Sequence, residues 1–114
     1  MHTLCTDFLN INNCTFAGEA GNPTISVVIA QSVDIQNCTS NNVSTAALDH
    51  NQISYCQYVH LKNDIFDATP ATTGGTPLKI AACNANVNSC TLKNAFYGIF
   101  APASHIDVLG TPTY

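Results

Sequence analysis

Asp49 beside His50, and Asp64 three residues before Asp67, are the pairs with which this chain could do acid–base chemistry. Glycoside hydrolysis uses two carboxyl groups flanking the scissile bond, one as proton donor and one as base or nucleophile. Both spacings work against that role. Side chains alternate faces along a strand, so neighbours and residues three apart point to opposite sides. Asp49, Asp64 and Asp67 are therefore the catalytic candidates, and no complete catalytic site is expected. His50, His60 and His105 could hold a metal only if folding brought them together. None of the six cysteines forms the C-x-x-C pair of a zinc site. The expectation is surface histidines with no chemical role, no metal and no cofactor. The rings of Tyr55, Tyr58, Phe66, Phe96, Tyr97 and Phe100 offer a different chemistry, stacking on sugars. Phe16, Phe66 and Phe100 are expected to fill the core or cover corners. Tyr55 and Tyr58 lie three apart in an alternating strand, which turns one of them to solvent as a binding residue.

The elements that must position these groups come from one short unit used repeatedly. Ile11 and Cys14, Ile35 and Cys38, Ile53 and Cys56, and Val87 and Cys90 each place an apolar residue three before a cysteine. Such recurrence marks a repeat architecture. In the preferred register Cys14, Cys38, Cys56 and Cys90 share one column, 24, 18 and 34 residues apart. A second register, with Ile35, Leu61 and Val87 spaced by 26, is nearly as regular. Free cysteine behaves as a small hydrophobe, so a stack of buried thiols is favoured over disulfides. Thr24–Ala30 reads as a strand, Gln31 and Ser32 as its punctuation, and Val33–Ile35 as a second strand. Ala46–Leu48, Tyr58–Phe66, Pro77–Ala82, Val87–Cys90, Leu92–Phe100 and Ser104–Leu109 follow as further strand material. Residues 17–23 and 67–77 are loops by their Gly, Pro and Asn content. No stretch has helical periodicity, and Asn, Thr, Ser and Gly disfavour helix interiors. Short strands, polar corners and a unit of 20 to 26 residues give a single all-β domain over 1–114, a solenoid of four to five coils. Asn13, Asn37, Asn63 and Asn94 are expected at its corners, because Asn tolerates left-handed backbone and can ladder its amide. Asn13, Asn37 and Asn42 also fit the glycosylation sequon, which chance supplies in so Asn- and Thr-rich a chain.

Composition removes several classes of function. Charged residues are 9% of the 114, arginine is absent, and the net charge is −4. With only Lys62, Lys79 and Lys93 as cations, neither nucleic acid nor an anionic membrane surface is a partner. No apolar run reaches the length of a membrane span. At 46% hydrophobic, the chain has material for a core and is not disordered. The first residues carry no basic region followed by an apolar one, so no signal peptide is visible. That suits a virion component, or an internal segment of a larger protein.

The runs Ile11-Asn-Asn-Cys-Thr-Phe16, Ile35-Gln-Asn-Cys-Thr-Ser40, Val87-Asn-Ser-Cys-Thr-Leu92 and Tyr97-Gly-Ile-Phe100 resemble the right-handed parallel β-helix repeat. That repeat is found in polysaccharide lyases, phage tailspikes and bacterial surface proteins. The resemblance spans nearly the whole chain. It implies a right-handed parallel β-helix whose ligand is polysaccharide and whose setting is extracellular, at a cell surface or in a virion. Lyases of this fold abstract a proton with Arg or Lys and hold calcium on acidic residues; the lack of Arg argues against that activity. The expected role is a non-catalytic structural or adhesive segment. The alternatives are part of a lyase or glycoside hydrolase with its catalytic residues elsewhere, and a fibre subunit stacking end to end. Open ends of such a stub expose unpaired backbone, so flanking coils or identical subunits are expected to cover them.

Overall fold

Val, Ile and Thr dominate the periodic segments of this chain, and their branched Cβ atoms favour extended backbone on a pleated, half-buried surface. The computed structural model describes residues 1–18, 22–41, 49–68, 76–93 and 99–109. The strands are β1 (His2–Asn12), β2 (Thr15–Ala17), β3 (Ile25–Gln36), β4 (Thr39–Asn41), β5 (Asn51–Lys62) and β6 (Ile65–Asp67). They continue as β7 (Leu78–Ala81), β8 (Asn84–Asn88), β9 (Thr91–Lys93), β10 (Ile99–Phe100) and β11 (His105–Leu109). The protein is all-β, with no helix among the described residues. The expected strand at Ala46–Leu48, the sequon Asn42, and Asn94, Phe96 and Tyr97 lie outside the described residues, as does most of the 67–77 loop.

Every pairing is parallel. One sheet runs β1-β3-β5; β5 then pairs with β7 through its first half and β8 through its second, and β10 and β11 follow on these. The other sheet runs β2-β4-β6-β9. Successive strands of a sheet are therefore successive rungs of the chain. Ile11, Ile35, Leu61, Val87 and Val108 pair in line. The 26-residue register is the one adopted, and the register that put Cys14, Cys38, Cys56 and Cys90 in one column is not. Ile53 pairs with Val27 and Ile80, and Cys56 with Ala30, in columns separate from those of Ile35 and Cys38. Backbone pairing decides between the two: each arm of the twelve-residue strand must keep its buried residues, Ile53 in the first and Val59 and Leu61 in the second, facing the core.

Two columns of left-handed residues turn the chain. Asn13, Asn37, Asn63 and Ser89, with φ of 57, 55, 54 and 54°, separate the long strands from the short ones. The second column is Ile29, Tyr55, Ala82 and Ala103, with φ of 60, 57, 53 and 52°. It lies within β3 and β5 and between the paired arms of the later rungs. The expected break at Gln31 and Ser32 thus falls at Ile29, two residues earlier, at a residue with no preference for such a turn. Neighbouring rungs hold it there. A β-branched residue in this region is strained by about 1–2 kcal/mol. Ile29→Asn should therefore raise stability by about 1 kcal/mol. A higher urea midpoint with unchanged slope would show it, and a lower midpoint would refute it.

Ile25, Val27, Val33, Ile35, Ile53, Val59, Leu61, Leu78, Ile80 and Val87 point inward from the first sheet, and Phe66 and Leu92 from the second. Each such side chain contributes about 1.5–3 kcal/mol by leaving water. The inner faces meet directly. Ser40 Oγ on β4 donates to Asn51 Oδ1 on β5 at 2.6 Å, and Asn51 Nδ2 donates to Pro77 O at 2.8 Å. This pair is fully satisfied, as buried polar groups must be. Leu9, Ile11, Cys14 and Phe16 on the first rung, and Ile99 and Ile106 on the last, remain only half-buried.

Candidate functional site

Five cysteines occupy a specific place: Cys14, Cys38, Cys56, Cys83 and Cys90 each directly follow a left-handed corner residue. The thiols of Cys14, Cys38, Cys56, Cys83 and Cys90 donate to the carbonyl two residues back at 3.4, 3.2, 3.3, 3.1 and 3.6 Å. Ser104 Oγ does the same to Pro102 at 3.1 Å. The corner also leaves the following N–H in need of an acceptor, and the next rung's side chain supplies it. Cys38 N–H donates to Asp64 Oδ1 at 2.8 Å, Cys56 N–H to Cys83 Sγ at 3.3 Å, and Cys83 N–H to Ser104 Oγ at 3.1 Å. A small side chain with a donor and an acceptor closes both gaps. That chemistry, beyond apolar stacking, explains the cysteines. All five described thiols are free.

Asp64 takes the cysteine's place on its rung. Only 1% exposed, it also accepts Lys62 N–H on Oδ2 at 3.1 Å. Burial pushes its carboxyl up to about 7, against the pull of those two N–H donors. It faces the interior and Asp67, at the end of β6, stands half-buried between Asn41 and Lys93. Asp49 is bound to Lys79, with Nζ 3.1 Å from Oδ2, and the same ammonium lies 5.6 Å from the centre of the Phe100 ring. Phe100 is thus an exposed partner of Lys79, where a core or corner role was expected. Asp49, Asp64 and Asp67 are engaged at three different places.

The histidines are also dispersed. His60 Nδ1 lies 3.4 Å from Asp34 on the preceding rung, and His105 Nε2 3.4 Å from Asp107. His50 is fully buried, contrary to the expected surface position, and neither ring nitrogen has a hydrogen-bond partner among the described residues. Desolvation lowers its pKa, so the ring is neutral. Among the described residues no three His, Cys, Asp or Glu side chains gather as a metal-binding group.

Tyr55 and Tyr58 are both exposed, at 65% and 54%. The alternation expected to hide one of them is broken by the left-handed turn at Tyr55 itself. Tyr55 lines an open groove of about 610 Å³, together with Thr6, Asp7, Ile29, Gln31 and Gln57. Asp7, Gln31 and Gln57 are the extra residue that the first three rungs carry between corner and strand. The fourth rung lacks it, so Cys83 runs straight into Asn84 and the groove stops at Ala82. Tyr58 borders a second depression of about 310 Å³ with Ser32, His60, Asn84, Asn86 and Asp107. There Asn86 Oδ1 is shielded and has no partner among the described residues. Sequence reasoning missed Asp7, Gln31 and Gln57: Gln31 reads as strand punctuation, and neither Asp7 nor Gln57 stands out by residue type. Aligning Leu61 with Ile35 would have placed Gln57 on Gln31. No family model, no curated protein and no solved structure matches the chain.

Proposed function

We propose that the chain is a right-handed parallel β-helix module of a larger surface, secreted or virion protein, non-catalytic and adhesive, which binds polysaccharide along its stacked rungs. The β-helix reading is supported by the chain's repeated return to two parallel sheets, β2, β4, β6 and β9 forming one and the strands between them the other. Right-handed crossover is the near-universal choice for parallel connections. The half-buried apolar residues on the first and last rungs favour further coils, or identical subunits, packed on both edges. A monomer at all concentrations in sizing experiments would count against that part.

The groove at the Tyr55 corner carries the binding reading. It joins an exposed ring to amides and a carboxylate, repeated at the inter-strand spacing of about 4.8 Å. Rings supply stacking area at little entropic cost, and amides serve hydroxyl groups as donor or acceptor. A glycan array paired with a reducing-sugar release assay tests it. Retention of an oligosaccharide without release is expected; release would favour the glycosidase alternative, and no binding would refute the adhesive role. Tyr55→Asn keeps a residue suited to the left-handed corner and removes the ring. Binding should weaken about tenfold or more, with the urea midpoint no lower than wild type. Unchanged affinity would move the site away from this groove.

A further inference from the structure

We propose that Cys56 and Cys83 form a modification site, a thiol pair that a low-molecular-weight disulfide converts into a covalent bridge between the third and fourth rungs. Cys56 and Cys83 directly follow the left-handed corner residues Tyr55 and Ala82 of adjacent rungs, and a disulfide needs such neighbouring positions, because it spans Cα atoms about 4.4–6.8 Å apart. Cys83 Sγ accepts the backbone N–H of Cys56 at 3.3 Å. No other described pair is arranged this way. Asp64 separates Cys38 from Cys90 along the second column. Cys14 and Cys38 are neighbours, but the acceptor for Cys38 N–H is a carboxylate.

The pair is also chemically asymmetric. The Cys56 side chain and its backbone N–H lower the pKa of the Cys83 thiol, while Cys56 itself is pushed up by Cys83 and by burial. Burial raises Cys38, and raises Cys90 to about 11. Cys83 is thus the more acidic thiol of the pair, and the thiolate is the nucleophile. The Tyr55 groove reaches Cys56 and Ala82, next to Cys83.

The exchange runs in two displacements. Cys83 thiolate attacks one sulfur of the oxidant, forming a mixed disulfide and expelling the first small thiolate. Cys56 sulfur then attacks the Cys83 sulfur, its proton passing to solvent, and expels the second. Two protein thiols lose two electrons, and one small disulfide becomes two thiols.

Reduced, folded protein treated with oxidised glutathione near neutral pH, acid-quenched and alkylated, supplies the test. The thiol count of the denatured product should fall from the six of the sequence to four, with Cys56 joined to Cys83 in unreduced peptide maps. Melting temperature should rise by on the order of 5–10 °C. Cys14→Ser should leave the bridge in place and Cys83→Ser should abolish it. A full complement of alkylated thiols, glutathione retained on Cys83, or a predominant bridge between any other pair in the wild-type or Cys14→Ser protein would overturn the proposal. Those readouts do not depend on how the Cys83→Ser chain folds.

Discussion

Replacing Asp64 by Ser should remove about 3 kcal/mol of pH dependence from the stability of this protein between about pH 4.5 and pH 8. The folded carboxyl holds its proton to about pH 7, whereas the unfolded one releases it near 3.8. Across that window the folded chain binds more protons, so stability falls as pH rises. The contribution is complete below pH 3.8 and lost once the pH passes about 7. His50 works in the opposite direction. Burial lowers its pKa from 6.5, so the unfolded chain takes up a proton that the folded one refuses, and acidification below 6.5 destabilises. The wild-type profile alone is the sum of these effects. Its difference from Asp64→Ser isolates the carboxyl, because His50 is common to both. Serine suits the position: Ser104 already accepts a corner N–H and donates two residues back. Urea unfolding across the pH range provides the measurement. Parallel profiles for the two proteins would show that Asp64 ionises in the folded state as it does in the unfolded one.

Phe66→Ala should destabilise by about 3–5 kcal/mol, the range for truncating a buried aromatic side chain. The strands of the second sheet are three residues long, so each rung sends one side chain inward, Ser40, Phe66 and Leu92 in turn. Phe66 is 2% exposed and follows Ser40, the smallest of the three. It is the only side chain that β6 sends inward, and the parallel pairings on both sides hinder collapse around the cavity. Phe16 holds the same position on the first rung, where it is only half-buried. Phe16→Ala should lose less than half as much. Equal losses in urea unfolding would mean that the first rung is packed as tightly as the third.

Part of the candidate site was legible from residue types. Tyr55 and Tyr58 stand out as rings in a chain with few aromatics, and alternation alone places one of them in solvent; the exposure of both rests on the left-handed turn at Tyr55. The groove beside Tyr55 requires long-range information, because Asp7, Gln31 and Gln57 lie 24 and 26 residues apart and become neighbours only in the adopted register. The cysteines misled for a related reason. Cys38 and Cys56 look equivalent in one dimension, each following an apolar residue by three. They serve corners of two different columns, and what they share is a local role, capping the carbonyl two residues back. Asp64 and Ser104 fill part of the same role without being cysteine, so no search for one residue type could have found the column.

By itself, then, the sequence determined what is local: extended backbone from its branched residues, corners at Asn13, Asn37 and Asn63, and no helix among the described residues. Those outcomes depend on sterics within a few bonds and on hydrogen bonds to near neighbours. Tertiary structure alone decided the 26-residue register, the corner at Ile29 and Tyr55, the burial of Asp64 and His50, and the meeting of Cys56 with Cys83. Each follows from pairing rungs more than twenty residues apart, where the backbone hydrogen bonds and the inward face of a whole strand outweigh the preference of any one side chain.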